Sequence, residues 1–145
     1  MKVRDVMTGR VIRIDPEENV EVAARTLAQY NIGAMPVCKA NGELCGMVTD
    51  RDIVIRCLAA NKVPGKTKVR EVMTNQVVSV RPDTEAGVAA HLMGRQQIRR
   101  LVVTDNGKLC GMVSLGDLAS WEDSVMDAAD ALQDISGNIT EGSAW

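Results

Sequence analysis

Apolar and polar positions follow two different periods in the first half of the chain, and each change of period marks a new element. Between residues 18 and 29 the apolar side chains recur at helical spacing, which predicts a helix. A second helix is expected over residues 50–60, directly after an apolar run. The Asn41-Gly42 pair between two apolar runs is typical of a hairpin turn. Short apolar runs predict three strands: Val11–Ile14, Met35–Cys38 and Leu44–Val48.

The same pattern returns about 66 residues later, in places letter for letter. The segment at 3–8 reads VRDVMT and returns at 69–74 as VREVMT. The segment at 42–53 reads GELCGMVTDRDI and returns at 107–118 as GKLCGMVSLGDL. A unit this short rarely buries its apolar face alone, so we expect the copies to pack against each other, with a ligand site at their seam. The second copy predicts one helix and two strands: 84–96, 100–104 and 109–113.

A polar stretch at Lys62–Lys68, rich in Pro and Gly, is the clearest boundary. It divides the chain into a first repeat (1–62), a second repeat (63–120) and a C-terminal segment (121–145). In that segment Val125, Ala129, Leu132 and Ile135 predict one more helix, which we expect to end at Ser136-Gly137-Asn138. Residues 139–145 are expected to be a loose tail.

Composition is that of a globular protein, with 46% apolar and 25% charged residues. A net charge of −2 argues against general binding to nucleic acid or to an anionic membrane. No apolar run approaches the roughly 18 residues of a membrane span, and the N-terminal residues do not resemble a signal peptide. We therefore expect a cytoplasmic protein.

The cysteines and the single histidine offer little for catalysis. Cys45 and Cys110 occupy the same place in each repeat, inside apolar runs, as small buried side chains do. Cys38 lies near Cys45 across the predicted hairpin, which leaves a disulfide or half a metal site open. His91 falls on the polar face of its helix and is expected to be solvated. We predict no enzyme and no metal site; a redox or metal sensor using Cys38, Cys45, Cys57 or Cys110 is an alternative.

The sharpest motif is Thr49-x-x-Asp52, repeated as Ser114-x-x-Asp117, where a strand passes into a helix. Its first interpretation is a capping box, which satisfies the free N–H groups at a helix start. Its second is a ligand site, because a hydroxyl and N–H groups at a helix start suit a phosphate, and a nearby carboxylate can accept both ribose hydroxyls. Spacing alone leaves both open.

Charge separates the two copies of this motif. Arg99 and Arg100 precede the strand that should run beside the one ending at Ser114, whereas the first repeat has Gly33 and Ala34 at the matching positions. Two adjacent arginines near a helix start suit a phosphate chain.

Together these blocks resemble the CBS domain, named after cystathionine β-synthase, over about residues 1–120. The resemblance rests on the order DVMT, V-x-x-x-x-P, a helix, IRRLVV-x-D and GMVS-x-x-DL, which occurs twice. The chain departs from it at residues 32–34, where basic residues often stand, and at Val102, where many members have proline, as Pro36 is in the first repeat. The implied fold is α/β (α+β), two βαββα repeats about a pseudo-twofold axis as one Bateman module.

The resemblance implies regulation by an adenosine derivative: AMP, ADP or ATP, and less readily NAD or S-adenosylmethionine. The ligand would lie in a cleft between the repeats, with Ser114 and Asp117 holding phosphate and ribose and Arg100 reaching the phosphates. The implied nucleotide-binding residues are Ser114, Asp117, Arg100, Arg99, Val11, Ile12, Ile32 and Gly33.

A second cleft, related by pseudo-symmetry, is expected to bind more weakly because Ala34 stands where the other has Arg100. The resemblance also implies a homodimer and a separate effector protein that senses the bound nucleotide. A ligand-free scaffold for protein–protein interaction is a further alternative, the capping-box interpretation applied to both copies. The residues implied for the weaker cleft are Thr49, Asp52, Val77, Val78 and Ile98.

Overall fold

The computed structural model describes residues 1–121 and 124–142 of the chain, which divides into two compact units. The helices are α1 (Val3–Val6), α2 (Val20–Tyr30), α3 (Asp50–Ile53), α4 (Ala86–Gln96), α5 (Leu115–Ala119) and α6 (Val125–Gly142). The strands are β1 (Ala34–Cys38), β2 (Leu44–Thr49), β3 (Ser79–Val80), β4 (Arg100–Asp105) and β5 (Lys108–Ser114).

One unit, which we call unit A, comprises Arg10–Val77 together with Asn106–Leu109. Its two strands form the predicted antiparallel hairpin, with Val37 opposite Gly46. The hairpin turn is made by Asn41 and by Gly42, whose φ of 91° favours glycine. Helix α3 continues as a π-helical stretch over Val54–Leu58, where the sequence predicts one uninterrupted helix. The core of the unit contains no aromatic side chain, as the lack of Phe leads one to expect. Its larger members are Ile14, Val20, Leu27, Met35, Val37, Val48, Ile53, Val69 and Val72.

The predicted strand Val11–Ile14 is reduced to a single parallel bridge between Ile14 and Val37. Ile14 donates its N–H to the carbonyl of Pro36 (3.1 Å) and accepts from the N–H of Cys38 (2.9 Å). The next bond of such a ladder needs an N–H from residue 36, and proline has none. In the second repeat Val102 occupies that position, and β3 pairs there with β4 over two residues.

The other unit, unit B, comprises Met1–Gly9, Val78–Asp105 and Cys110–Trp145. Strand β3 runs parallel to β4, and β4 is hydrogen-bonded to β5. Helices α4 and α5 occur in the same order along the second repeat as α2 and α3 do along the first. Helix α6 packs on both α4 and α5. Its residues Ala128, Ala131 and Ile135 are buried in the core with Met93 and Leu118.

Compact units and sequence repeats divide the chain differently. Helix α1, which belongs to the first repeat in sequence, is part of unit B, where Val3 donates its N–H to the carbonyl of Thr84 (2.8 Å). The corresponding 3₁₀ helix Val69–Glu71 is part of unit A, where Val69 donates to the carbonyl of Glu18 (2.8 Å). We call residues 6–8 and 72–74 the VMT segments. The first belongs to unit B, although most of its repeat lies in unit A, and the second belongs to unit A, although most of its repeat lies in unit B.

Helix α6 extends to Gly142, so the expectation that it ends at residues 136–138 is wrong. Gly137 does not adopt the positive φ that a glycine cap needs, and a glycine inside a helix costs only about 1 kcal/mol relative to alanine. Of the expected loose tail, residues 139–142 are helical and residues 143–145 lie outside the described residues. None of the described helices is long and apolar enough to cross a membrane.

Two glycines allow the VMT segments to approach the strands closely. A Cβ at Gly111 would lie 2.6 Å from the carbonyl oxygen of Thr8, and one at Gly46 would lie 2.5 Å from that of Thr74. Thr8 exchanges backbone hydrogen bonds with Met112 (2.8 and 3.0 Å), and Thr74 does so with Met47 (2.8 and 2.9 Å). Only glycine leaves room for these bonds.

We expect Gly111→Ala to lower the free energy of unfolding by about 1–3 kcal/mol, because the Thr8 backbone must move away and lose its bonds to β5. Denaturant titration followed by circular dichroism measures the change. Gly9→Ala is the matched control, since a Cβ there meets no atom within 4 Å, and it should stay within about 0.5 kcal/mol of wild type. If the two variants are equally stable, the explanation that the Thr8 backbone needs a glycine at residue 111 is wrong.

Candidate functional site

Both Ser/Thr-x-x-Asp motifs form complete capping boxes at the junction of a strand and a helix. In unit B the Oγ of Ser114 accepts from the N–H of Asp117 (3.0 Å), and the Asp117 carboxylate accepts from the N–H of Ser114 (2.8 Å). In unit A the corresponding bonds of Thr49 and Asp52 are both 3.0 Å. The capping interpretation is therefore correct for both copies, and it fixes the position of each carboxylate.

The carboxylate of Asp52 has further partners within unit A. The hydroxyl of Thr74 donates to its two oxygens at 3.4 and 3.5 Å, and the Nε of Arg56 lies 3.9 Å from Oδ1. Asp52 is only 8% exposed. Neither Thr74 nor Arg56 is predicted from the sequence to contact this carboxylate, although the repeated VMT motif is a signal that points to Thr74. Asp52 thus has partners within unit A beyond its own capping box.

The carboxylate of Asp117 differs from its counterpart. Among the described residues it accepts from the Ser114 N–H alone, and it is half-buried. Thr8, which corresponds to Thr74, is exposed and bonds to β5 through its backbone. A carboxylate has about four acceptor sites, so most of the capacity of Asp117 is free for a ligand within the part of the chain that the structure describes.

Arg99 and Arg100 lie with Ser114 around a cavity of about 550 Å³ in unit B. The N–H of Leu115 donates to the carbonyl of Arg99 (2.8 Å), which holds the start of β4 beside the start of α5. Both arginine side chains are exposed, and neither is paired with an acid among the described residues. Three of the predicted binding residues, Arg99, Arg100 and Ser114, thus lie around one cavity. Asp117 is hydrogen-bonded to Ser114 but does not line the cavity.

The remaining predicted residues are half-buried and are distributed over both units. Ile12 and Ile32 pack against the core of unit A, and Val78 and Ile98 pack against the core of unit B. Gly33 accepts from the N–H of Asp50 (2.9 Å). The other half-buried members of the predicted set, all in unit A, are Val11, Thr49 and Val77.

The thiols show no sign of pairing, since all four cysteines are free. Cys45 and Cys110 are half-buried, so the expectation of full burial is wrong for them, whereas Cys38 and Cys57 are buried. Burial raises the pKa of the Cys38 thiol, the nearby Arg13 opposing that shift. His91 is exposed, as predicted. Among the described residues, no group of three or more His, Cys, Asp or Glu side chains could hold a metal ion.

Comparison with known proteins agrees with the repeated architecture. The model of the CBS domain family matches the chain twice, at residues 3–58 and 69–124. The CBS domain-containing protein YhcV of Bacillus subtilis (strain 168) is 42% identical over 134 residues, which cover 92% of this chain and 94% of that protein.

Two solved structures are similar to the chain. Hypoxic Response Protein I, crystallised with two coordinated zinc ions, has a TM-score of 0.76 at 32% identity and covers 83% of this chain and 98% of its own. The CBS domain pair of protein MJ0100, in complex with 5′-methylthioadenosine and S-adenosyl-L-methionine, has a TM-score of 0.71 at 26% identity and covers 83% and 94%. The chain therefore belongs to the CBS domain family, as a tandem pair, or Bateman module, of mixed helix and strand content.

Proposed function

We propose that this protein is a regulatory module that binds an adenine nucleotide of the AMP, ADP or ATP type. CBS domain pairs are commonly regulatory, and a structural neighbour binds adenosine-derived ligands. The observation that carries the proposal is the carboxylate of Asp117, which among the described residues accepts from the Ser114 N–H alone. Ser114 in turn lines a cavity with Arg99 and Arg100, which have no acidic partner within the described part of the chain.

Each of these groups has a defined task in the proposal. The exposed guanidinium of Arg100, with Arg99 beside it, neutralises the phosphates, which the Ser114 hydroxyl and the start of α5 help to orient. Asp117 accepts the ribose hydroxyls. The adenine wall that the family resemblance assigns to Val11, Ile12, Ile32 and Gly33 stays a prediction, as does the weaker binding at Thr49 and Asp52.

Regulation would follow from a population shift. A bound nucleotide shifts the equilibrium between two conformations of the protein by the difference in its affinity for them. A partner protein then responds to the conformation that the nucleotide favours. The proposal includes no catalytic step. The homodimer, the effector protein and the cytoplasmic location stay predictions.

We expect Asp117→Ala to weaken nucleotide binding at least tenfold. A hydrogen bond to a charged group contributes about 1.5–3 kcal/mol, and each 1.4 kcal/mol is about tenfold in affinity. Calorimetric titration with AMP, ADP, ATP, NAD and S-adenosylmethionine measures the loss and identifies the ligand.

Asp52→Ala is the matched control. It should lower the free energy of unfolding, because it removes a cap and leaves the Thr74 hydroxyl without its acceptor, but it should keep the main nucleotide affinity. If Asp52→Ala abolishes binding and Asp117→Ala does not, the choice between the two motifs is wrong.

The arginine makes a separate prediction. Arg100→Ala should weaken ATP or ADP by about tenfold or more while changing the affinity for adenosine little, because adenosine has no phosphate to pair. The same titrations measure both ligands, and Arg95→Ala, an exposed arginine of α4, is the control. An equal loss for ATP and adenosine would place Arg100 outside the phosphate site.

Thiol reactivity tests the redox alternative. The raised pKa of Cys38 means that less thiolate is present near pH 8 than for an ordinary cysteine, so Cys38 should react slowly and its rate should keep rising above pH 9. Alkylation followed by mass spectrometry compares it with half-buried Cys45 and Cys110. Fast modification of Cys38 at neutral pH in the folded protein would favour a thiol sensor instead.

A further inference from the structure

The cavity beside Arg99 and Arg100 continues along unit B as a groove between α5 and α6, which we call the α5–α6 groove. Helix α6 lies outside both repeats in sequence, so this groove has no place in the repeat pattern. Its volume of about 550 Å³ lies within the range of small-molecule sites. The lining residues are Arg99, Arg100, Ser114, Leu115, Gly116, Ala119, Val125, Ala128, Ala129 and Leu132.

Apolar side chains form the length of the groove. Leu115 and Ala119, one turn apart on α5, face Val125 and Leu132 of α6. Val125 is 40% exposed and Leu132 is 43% exposed, so their apolar surface is accessible to a ligand. Burying such surface away from water is favourable. The groove therefore suits an apolar chain along its walls.

Charge is confined to one end. Arg99 and Arg100 are held there by the bond from the Leu115 N–H to the Arg99 carbonyl (2.8 Å), next to the Ser114 hydroxyl. Among the described residues that line the groove, none is acidic. Two cations without an acidic partner among the described residues, at the end of an apolar groove, are complementary to an anion attached to an apolar chain.

Unit A provides an internal contrast. A smaller groove of about 330 Å³ lies between α2 and α3, which correspond to α4 and α5 rather than to α5 and α6. Gly33 and Ala34 stand where unit B has the two arginines, and Asp50 lines the groove where unit B has Leu115. A carboxylate at that place repels an anion. Both grooves have apolar side chains in their walls, so the contrast between them is one of charge.

We propose that the α5–α6 groove binds a monomeric single-chain amphiphilic anion, with its carboxylate or phosphate head at Arg99 and Arg100 and its alkyl chain between α5 and α6. This site shares the arginines and Ser114 with the proposed nucleotide site, so the two ligands compete. It does not use Asp117, and the nucleotide does not use Leu132.

The test is calorimetric titration of the full-length protein with decanoate and decyl phosphate below their micellar concentrations, with decanol as the neutral comparison. Decanoate should bind at least tenfold more tightly than decanol. Leu132→Asp should weaken decanoate at least tenfold, because it places a carboxylate against the chain. Val88→Asp is the matched control: Val88 is 59% exposed on α4 of the same unit, does not line the groove, and its substitution should leave binding unchanged.

Circular dichroism establishes that each variant is folded, and Ala129→Glu replaces Leu132→Asp if that variant is not. The proposal is overturned if decanol binds as tightly as decanoate, if wild type binds neither anion at 1 mM, or if Leu132→Asp binds decanoate unchanged. Binding that appears only with vesicles would also overturn it.

Asp117→Ala separates this inference from the proposed function. It should weaken AMP binding at least tenfold and keep decanoate binding, whereas Leu132→Asp should do the reverse. Loss of decanoate binding in Asp117→Ala would contradict a site independent of that carboxylate. If wild type binds decanoate and no nucleotide, the amphiphile site stands and the nucleotide proposal fails.

Discussion

The reciprocal hydrogen bonds of the capping box determine where the candidate binding groups lie. At the junction of β5 and α5, the Ser114 hydroxyl and the Asp117 carboxylate each accept an N–H from the other residue. These bonds end the strand, start the helix and hold both oxygen-bearing side chains in one orientation. The bond from Leu115 to the Arg99 carbonyl then fixes β4 beside the same junction. These bonds place Arg99, Arg100 and the Ser114 hydroxyl around one cavity and hold the Asp117 carboxylate against the Ser114 N–H.

The same device serves two different purposes in the two units. In unit A the VMT segment supplies Thr74 and the π-helical stretch supplies Arg56, and both engage the Asp52 carboxylate. Thr8 makes the same backbone bonds in unit B as Thr74 does in unit A, but among the described residues only the Ser114 N–H donates to the Asp117 carboxylate. Duplication thus preserves the backbone arrangement while one copy uses its carboxylate for stability. The proposed nucleotide site uses the copy whose carboxylate has fewer partners among the described residues.

Much of the fold could be predicted because its signals are local. The helices α2 and α4, the hairpin strands and both caps follow from spacing and turn chemistry, which act within a few residues. The length of the first strand could not be predicted from its own residues, because Pro36 on a neighbouring strand withholds the N–H that the ladder needs. Helix α6 continues beyond its predicted end at residues 136–138, because Ser, Gly and Asn only weaken a helix and do not end it without a positive φ.

The duplication, the family, the two hydroxyl–carboxylate motifs and the arginine pair that distinguishes them could all be read from the order of residues. Three further features became visible in the folded chain alone: residues 1–9 join unit B, Asp52 contacts Thr74 and Arg56, and α6 forms a wall beside Arg99 and Arg100. Each of these depends on partners distant in sequence. Contacts between residues distant in sequence depend on packing and on the hydrogen bonding of buried polar groups. The spacing of residues along a short stretch of chain does not predict them.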